Sequence, residues 1–228
     1  MVDFSELEKK LKIKFKNKDL LVQAFCHRSY INENEDFQGR NNERLEFLGD
    51  AVLELIVSEE LFHRFFEQEE GFLTSLRAAL VNSKMLYKLA KELEFSDFLL
   101  LSRGERREKG KARQEILADT MEAFIGALYL DQGYKICHNF VLKHLMPKVG
   151  QIMEEEAFID AKSKFQEIAQ EKEKITPRYE ILKEWGPDHA KSFIAGVFLN
   201  HKMIAKGEGR SKQEAEEEAA KKALEKIK

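Results

Sequence analysis

The chain has 228 residues, 43% of them hydrophobic and 35% charged, with three prolines and a formal net charge of −3. That balance excludes a disordered chain and a nucleic-acid binder working by bulk charge, and it argues for a helix-rich protein of two domains, since single domains cluster near ~100 to 150 residues. The opening MVDFSELEKK is too polar for a signal peptide and no apolar run reaches the ~18 residues of a membrane span, so no membrane is involved and a cytoplasmic location is expected.

Charge is unevenly distributed. Residues 157–228 carry 15 Lys and Arg against 13 Asp and Glu, while the remainder carries 23 against 28. In chain order, Ser5 and Glu8 have the spacing of a capping box, and Leu20, Leu21 and Ala24 share a helix face. Residues 41–65, NNERLEFLGDAVLELIVSEELFHRF, predict a long helix whose principal core face is Leu45, Leu48, Val52, Leu55 and Ile56. Asn82 and Ser83 are candidate caps for a helix through Met85, Leu86, Leu89, Ala90 and Leu93. SRGERREKGKAR, residues 102–113, is a basic run, followed at 116–131 by a nearly uninterrupted apolar helix. Cys26 and Cys137 sit far apart among apolar neighbours and read as buried reduced thiols, and the six His show no zinc spacing.

The period changes after Pro147. An acidic segment, residues 151–159, reads as a linker between a helical domain, 1–150, and a second module, 160–228. The module predicts a helix from about Asp160 to Glu171 and three strands around Tyr179–Trp185, Phe193–Leu199 and Met203–Ala205, with Asn200-His201 as a hairpin turn. A last helix from Ser211 has the apolar face Ala215, Ala219, Ala223 and Ile227. The fold class is therefore an all-α domain followed by a small α+β domain of order α-β-β-β-α.

Chemistry concentrates in four acids. Glu46 and Asp50 are i, i+4 on the first long helix, and Asp119 and Glu122 are i, i+3 on the second. Two carboxylates ~5 Å apart repel by roughly 3 kcal/mol at an effective dielectric of ~20, a cost that partly desolvated helices bear only with a cation or proton among the acids. Oxygen ligands without His or Cys select a hard cation, Mg²⁺ or its substitute Mn²⁺, and such an ion assists phosphodiester hydrolysis. Gly49 between the first pair points to close approach by another element, either for packing alone or for the site. Phe47, off the core stripe, packs within its own subunit or across an interface. The basic run grips phosphates or is simply solvated.

ERLEFLGDAVL at 43–53, EGFLTSLRAALVN at 70–82 and ILADTMEAFIGALYLDQG at 116–133 resemble bacterial ribonuclease III, over essentially the whole chain. The resemblance implies the ribonuclease III endonuclease fold with a C-terminal double-stranded-RNA-binding domain. It implies a metal-dependent endoribonuclease of double-stranded RNA, processing rRNA precursors and other structured transcripts and leaving 5′-phosphate and 3′-hydroxyl ends with short 3′ overhangs. Glu46, Asp50, Asp119 and Glu122 match the family's metal carboxylates, Asp50 and Glu122 its catalytic pair, and Glu70 an auxiliary acid. A homodimer is implied, with Phe47 entering a socket on the partner, and no organic cofactor. In the tail, Gln166, His189, Arg210, Ser211 and Lys212 match RNA contacts, Gln166 and His189 toward a minor groove. Bottom-up, Ser211 and Glu214 form a capping box, leaving a positive helix end flanked by Arg210 and Lys212, while Glu214 and Glu216–Glu218 weaken its pull on phosphate. Two other classes stay open on residues alone: a catalytically silent RNA binder, and a di-iron carboxylate oxidase. The oxidase wants a His three residues after Glu122, where Ile125 stands.

Overall fold

Apolar residues at helical spacing fold the front of the chain into α1 (Ser5–Leu11), α2 (Lys18–Ala24), α3 (Arg28–Glu33), α4 (Glu43–Arg64), α5 (Glu70–Val81), α6 (Ser83–Glu92), α7 (Arg103–Arg107), α8 (Lys111–Gln132), α9 (Tyr134–His144) and α10 (Lys148–Glu154). The tail forms α11 (Ala161–Glu173), β1 (Arg178–Trp185), β2 (Ser192–Leu199), β3 (Lys202–Gly209) and α12 (Lys212–Ile227). This computed structural model describes residues 2–107, 110–154, 161–187 and 191–227, and the chain divides into two units, Met1–Phe158 and Ile159–Lys228. Helix α10 occupies 151–154 of the segment expected as a linker, because Val149 and Ile152 are buried and hold it to the first unit.

The first unit is organised by α8, whose residues from Ile116 to Leu128 are buried except Asp119 and Glu122. Against it lies α4, and the two backbones nearly touch. A Cβ on Gly49 would stand 1.8 Å from the Glu122 carbonyl oxygen, and one on Gly126 would stand 2.2 Å from that of Leu45. Each helix thus offers a glycine to the other's main chain. An aromatic cluster locks α8 from the other side, with ring centroids 4.9 Å apart for Phe25 and Phe95, 5.2 Å for Phe95 and Phe124, and 5.3 Å for Phe124 and Phe140. Full burial of each such side chain contributes about 1.5 to 3 kcal/mol.

The start of α4 is pinned by Asn42, one of two buried polar side chains among the described residues. Its backbone N–H donates to the Cys26 carbonyl at 2.9 Å and its Nδ2 to that of Ala24 at 3.4 Å, while Gln23 Nε2 donates to the Asn41 carbonyl at 2.9 Å. Cys26 and Cys137 are buried free thiols, and burial pushes them up to about 11 and about 12. Asn82 caps α6 by accepting from the Met85 N–H at 2.9 Å.

Two local expectations fail. Ser5 and Glu8 form no capping box: Asp3 takes both the backbone N–H and the hydroxyl of Ser5 at 2.9 Å, and Glu8 accepts from the Phe15 N–H and pairs with Lys18. The Ser5 N–H thus goes to the nearer carboxylate, Asp3, and the Glu8 N–H to the Phe4 carbonyl at 3.1 Å. On α4 the core face is Leu45, Gly49, Val52, Leu53, Ile56, Val57 and Leu61; Leu48 is half-buried and Leu55 exposed. The contact through Gly49 turns that face toward α8 and leaves Phe47, Ala51, Leu55 and Phe62 as an outward stripe.

The second unit is a three-stranded antiparallel sheet, β1-β2-β3, with α11 and α12 packed on it. Asn200 takes φ 53° in the hairpin between β2 and β3, a left-handed position that suits Asn. Ala215, Ala219 and Ala223 are buried, and α12 lies so close to β3 that Cβ atoms on Gly207 and Gly209 would stand 2.2 Å and 2.5 Å from its backbone nitrogens.

A methyl group at the α4/α8 crossing has nowhere to go. Gly49→Ala is expected to destabilise the first unit by about 1 to 3 kcal/mol in urea unfolding; wild-type stability in the variant would show that the helices do not meet there.

Candidate functional site

The crossing that excludes a side chain at Gly49 also sets the acids face to face. Glu46 and Asp50 flank Gly49 on α4, and Glu122, on α8, is the residue whose carbonyl Gly49 touches. Glu46, Asp119 and Glu122 are half-buried, whereas Asp50 is exposed, contrary to the expectation that both α4 acids are desolvated. Burial raises the Glu46 carboxyl, and Asp119, Glu43 and Asp50 raise it further. Asp119 is raised by burial and then by Glu115. Glu122 is pushed up to about 8, first by burial and then by Asp50, Asp119, Glu46 and Glu54. All four acids therefore act in one electrostatic field.

Sharing a field is not the same as forming a ligand shell. Among the described residues no group of three or more His, Cys, Asp or Glu side chains is disposed to hold a metal ion. The two backbones bring the stretches that carry the acids to one place. The donor set is oxygen only, which fits a hard cation, and the excess negative charge at this spot is what such a cation neutralises. Glu70, the exposed first residue of α5, is not among the charges that shift Glu46, Asp119 or Glu122.

The basic run forms α7 and the entry to α8, with 108–109 (including Lys109) outside the described residues. It is held to α3: the Ser102 N–H donates to Ser29 Oγ at 3.1 Å, and the Arg103 N–H to Glu33 at 2.6 Å. Arg103, Arg106 and Arg107 line a hollow of about 430 Å³ with Tyr30, Glu33 and Asn34. Beside them Arg113 is lowered from the usual arginine range by burial and by Arg106, and one of its terminal guanidinium nitrogens is buried without a hydrogen-bond partner.

In the second unit Gln166, Arg210, Ser211 and Lys212 are all exposed, and His189 lies outside the described residues. Ser211 Oγ accepts from the Glu214 N–H at 3.1 Å, the expected cap, but Glu214 reaches back to the Arg210 N–H at 2.7 Å rather than to that of Ser211. The Glu214 carboxylate thus stays at the positive end of α12.

Comparison with known proteins decides the family. Residues 17–149 match the Ribonuclease-III-like family, and residues 161–227 match the double-stranded RNA binding motif. The Ribonuclease 3 of Geobacillus thermodenitrificans is 49% identical over 97% of this chain and 90% of its own length. That of Anoxybacillus flavithermus is 46% identical over 100% and 95%.

The chain belongs to the ribonuclease III family.

Two solved nuclease domains of Campylobacter jejuni ribonuclease III agree with the first unit: one has 43% identity and a TM-score of 0.58 over 65% of this chain and 97% of that one. The other, described as flexible in a region involved in dimer formation, has 44% identity and a TM-score of 0.57 over 63% and 96%. A ribonuclease III unit joined to a double-stranded RNA binding motif makes this a double-strand-specific endoribonuclease, of a family that generally uses a divalent metal. No described helix is long and apolar enough to cross a membrane.

Sequence reading missed several contributors to the field at this crossing. Glu54 adds to the field on Glu122, and its signal was available as the next i+4 step after Asp50. Glu43 and Glu115 do the same for Glu46 and Asp119. Asn42, which pins α4, carried no chemical pattern of its own.

Because folding raises Glu122 from 4.5 to about 8, it binds a proton more tightly folded than unfolded, so its contribution is present below pH 4.5 and lost as pH climbs to about 8. In chelator, the melting temperature of Glu122→Gln is expected to match wild type near pH 4.5, exceed it progressively up to pH 8 and level off above. A difference independent of pH would refute the assignment.

Proposed function

We propose that this ribonuclease III is Mg²⁺-dependent, accepts Mn²⁺ as a substitute, and acts as a homodimer whose two sites cut the two strands of an RNA duplex. The products carry 5′-phosphate and 3′-hydroxyl ends with short 3′ overhangs, and the substrates are rRNA precursors and other structured transcripts in the cytoplasm. The observation that carries this reading is the joint field of Glu46, Asp50, Asp119 and Glu122 at the α4/α8 crossing. These four would hold the divalent ion, which when bound supplies charge neutralisation and Lewis acidity toward a phosphate oxygen.

The chain's own residues do the rest. Asp50, exposed, presents the face that meets the phosphodiester, and Glu122, half-buried behind it, releases its proton as positive charge enters the site. The glycine-to-backbone contacts keep the two helices from rocking apart, so the acids reorganise by torsion rather than by helix movement. Glu70 serves as an auxiliary acid. Arg103, Arg106, Arg107 and Arg113 suit duplex phosphates, the first three lining one hollow beside α3. Gln166, His189, Arg210, Ser211 and Lys212 hold the duplex through the second unit, reading A-form shape more than sequence.

The homodimer rests on the outward stripe of α4. Phe47 is 82% exposed at the rim of a hollow of about 600 Å³ lined by Leu20, Leu48 and Leu130, which excludes packing inside its own subunit. Leu55 and Phe62 border a second hollow with Tyr134. A self-complementary ring and hollow on one surface is what a two-fold interface requires.

On a perfect RNA duplex with Mg²⁺, Glu122→Gln is expected to cut at least about a hundredfold more slowly, the scale seen when one group facing developing charge is removed, while binding the duplex in chelator as wild type does. Loss of both together would sink the assignment. Phe47→Asp is expected to sediment as a monomer; an intact dimer would exclude this stripe as the interface.

A further inference from the structure

The sheet of the second unit has two faces, and helices cover one. Phe193, Ala195, Val197, Leu199 and Ala205 are buried toward α11 and α12. Alternation along the strands sends Ile194, Gly196 and Phe198 to the other face, where the register sets Arg178 opposite Phe198, Lys183 opposite Ile194 and Met203 opposite Phe198. Gly196 shows what has assembled there: a Cβ on it would meet the Phe198 ring at 2.9 Å and Leu182 Cδ1 at 3.0 Å. Both side chains lie across the glycine as a floor, which Met203 extends on one side and Trp185, paired with outward Ser192, continues along β1. Leu182 is 45% exposed, Met203 47% and Trp185 37%. The open face of an antiparallel sheet ordinarily reads polar, and a contiguous apolar floor marks an interaction site.

The cations on this floor indicate its occupant. The Arg178 guanidinium is 5.7 Å from the Phe198 ring centroid, and Lys183 Nζ is 5.5 Å from that of Trp185. Lys206, exposed, stands opposite Gly196. Two acids share the face: Glu180, paired with Arg178 at 2.5 Å, and Glu208, opposite Ile194. Protein interfaces deplete charge at their apolar centre, whereas aromatic rings set among cations are what successive bases and phosphates of an unpaired strand engage.

We infer that the open sheet face binds single-stranded RNA, with bases stacking at Trp185 and Phe198 and phosphates meeting Arg178, Lys183 and Lys206. The surface is on the opposite side of the sheet from α12, and so is separate from Arg210, Ser211 and Lys212. Binding here is independent of the carboxylate site. It gives a structured transcript a second hold through the unpaired segment that borders its duplex.

Trp185 is the chain's one tryptophan, so its emission reports this face alone. The full-length protein in chelator is titrated with an unstructured oligouridylate, then with a perfect duplex, and the variants Lys183→Glu and Trp185→Ala are followed by anisotropy of the labelled strand. Expected are saturable quenching of Trp185 by the single strand, roughly fivefold or greater weakening in both variants, and unchanged duplex affinity and cleavage. Unchanged emission, variants that hold the strand as tightly as wild type, or full displacement of the strand by duplex would each overturn the inference. So would loss of self-association in Trp185→Ala with RNA binding intact, which would assign the face to a protein contact. Because duplex cleavage is measured on the same variants, failure of this inference is distinct from failure of the catalytic reading.

Discussion

The first unit depends on a place where two main chains meet without side chains between them. At the α4/α8 crossing, Gly49 lies on the Glu122 carbonyl and Gly126 on the Leu45 carbonyl. Helix axes ordinarily pack 8 to 10 Å apart, at a distance set by the side chains between them, and removing those side chains at the contact brings the backbones closer. The short side chains of Glu46, Asp50, Asp119 and Glu122 then share one field although they come from two helices separated in the sequence. One residue type thus does two things: it allows dense packing, and it sets the scale of the electrostatics.

That field is unfavourable to the fold by itself. Burial and like charge raise three of the four acids, and Glu122 reaches about 8. The aromatic cluster of Phe25, Phe95, Phe124 and Phe140 offsets the strain, with Phe124 two residues beyond Glu122 on α8. Asn42 fixes the start of α4 from the other end. The four acids are therefore carried on helices held by apolar and backbone contacts that bear no charge.

The second unit uses the same device for another purpose. Gly207 and Gly209 let α12 lie on β3, and Gly196, on the opposite face, lets Leu182 and Phe198 close over the sheet. Its two faces differ in chemistry: the helix side carries an alanine-lined core, and the open side carries rings attended by cations. The match to a double-stranded RNA binding motif spans both faces, residues 161–227.

Much of this was legible in the amino-acid order, because helical and strand periods, a capping Ser211 and i, i+4 acids are local properties that a chain carries whatever surrounds it. The α-β-β-β-α order, the α6 cap at Asn82, the paired acids and the oddity of Gly49 all belong to that class. What tertiary structure decided was everything that depends on a partner remote in sequence. Leu55 has the same local pattern as Ile56, and only the direction in which Gly49 faces α8 makes one exposed and the other buried. Ser5 and Glu8, by contrast, missed their capping box for a local reason, since Asp3, Phe15 and Lys18 competed for their groups. The acids themselves were visible in the sequence, but the field they share across two helices was not, since it depends on how closely those helices approach.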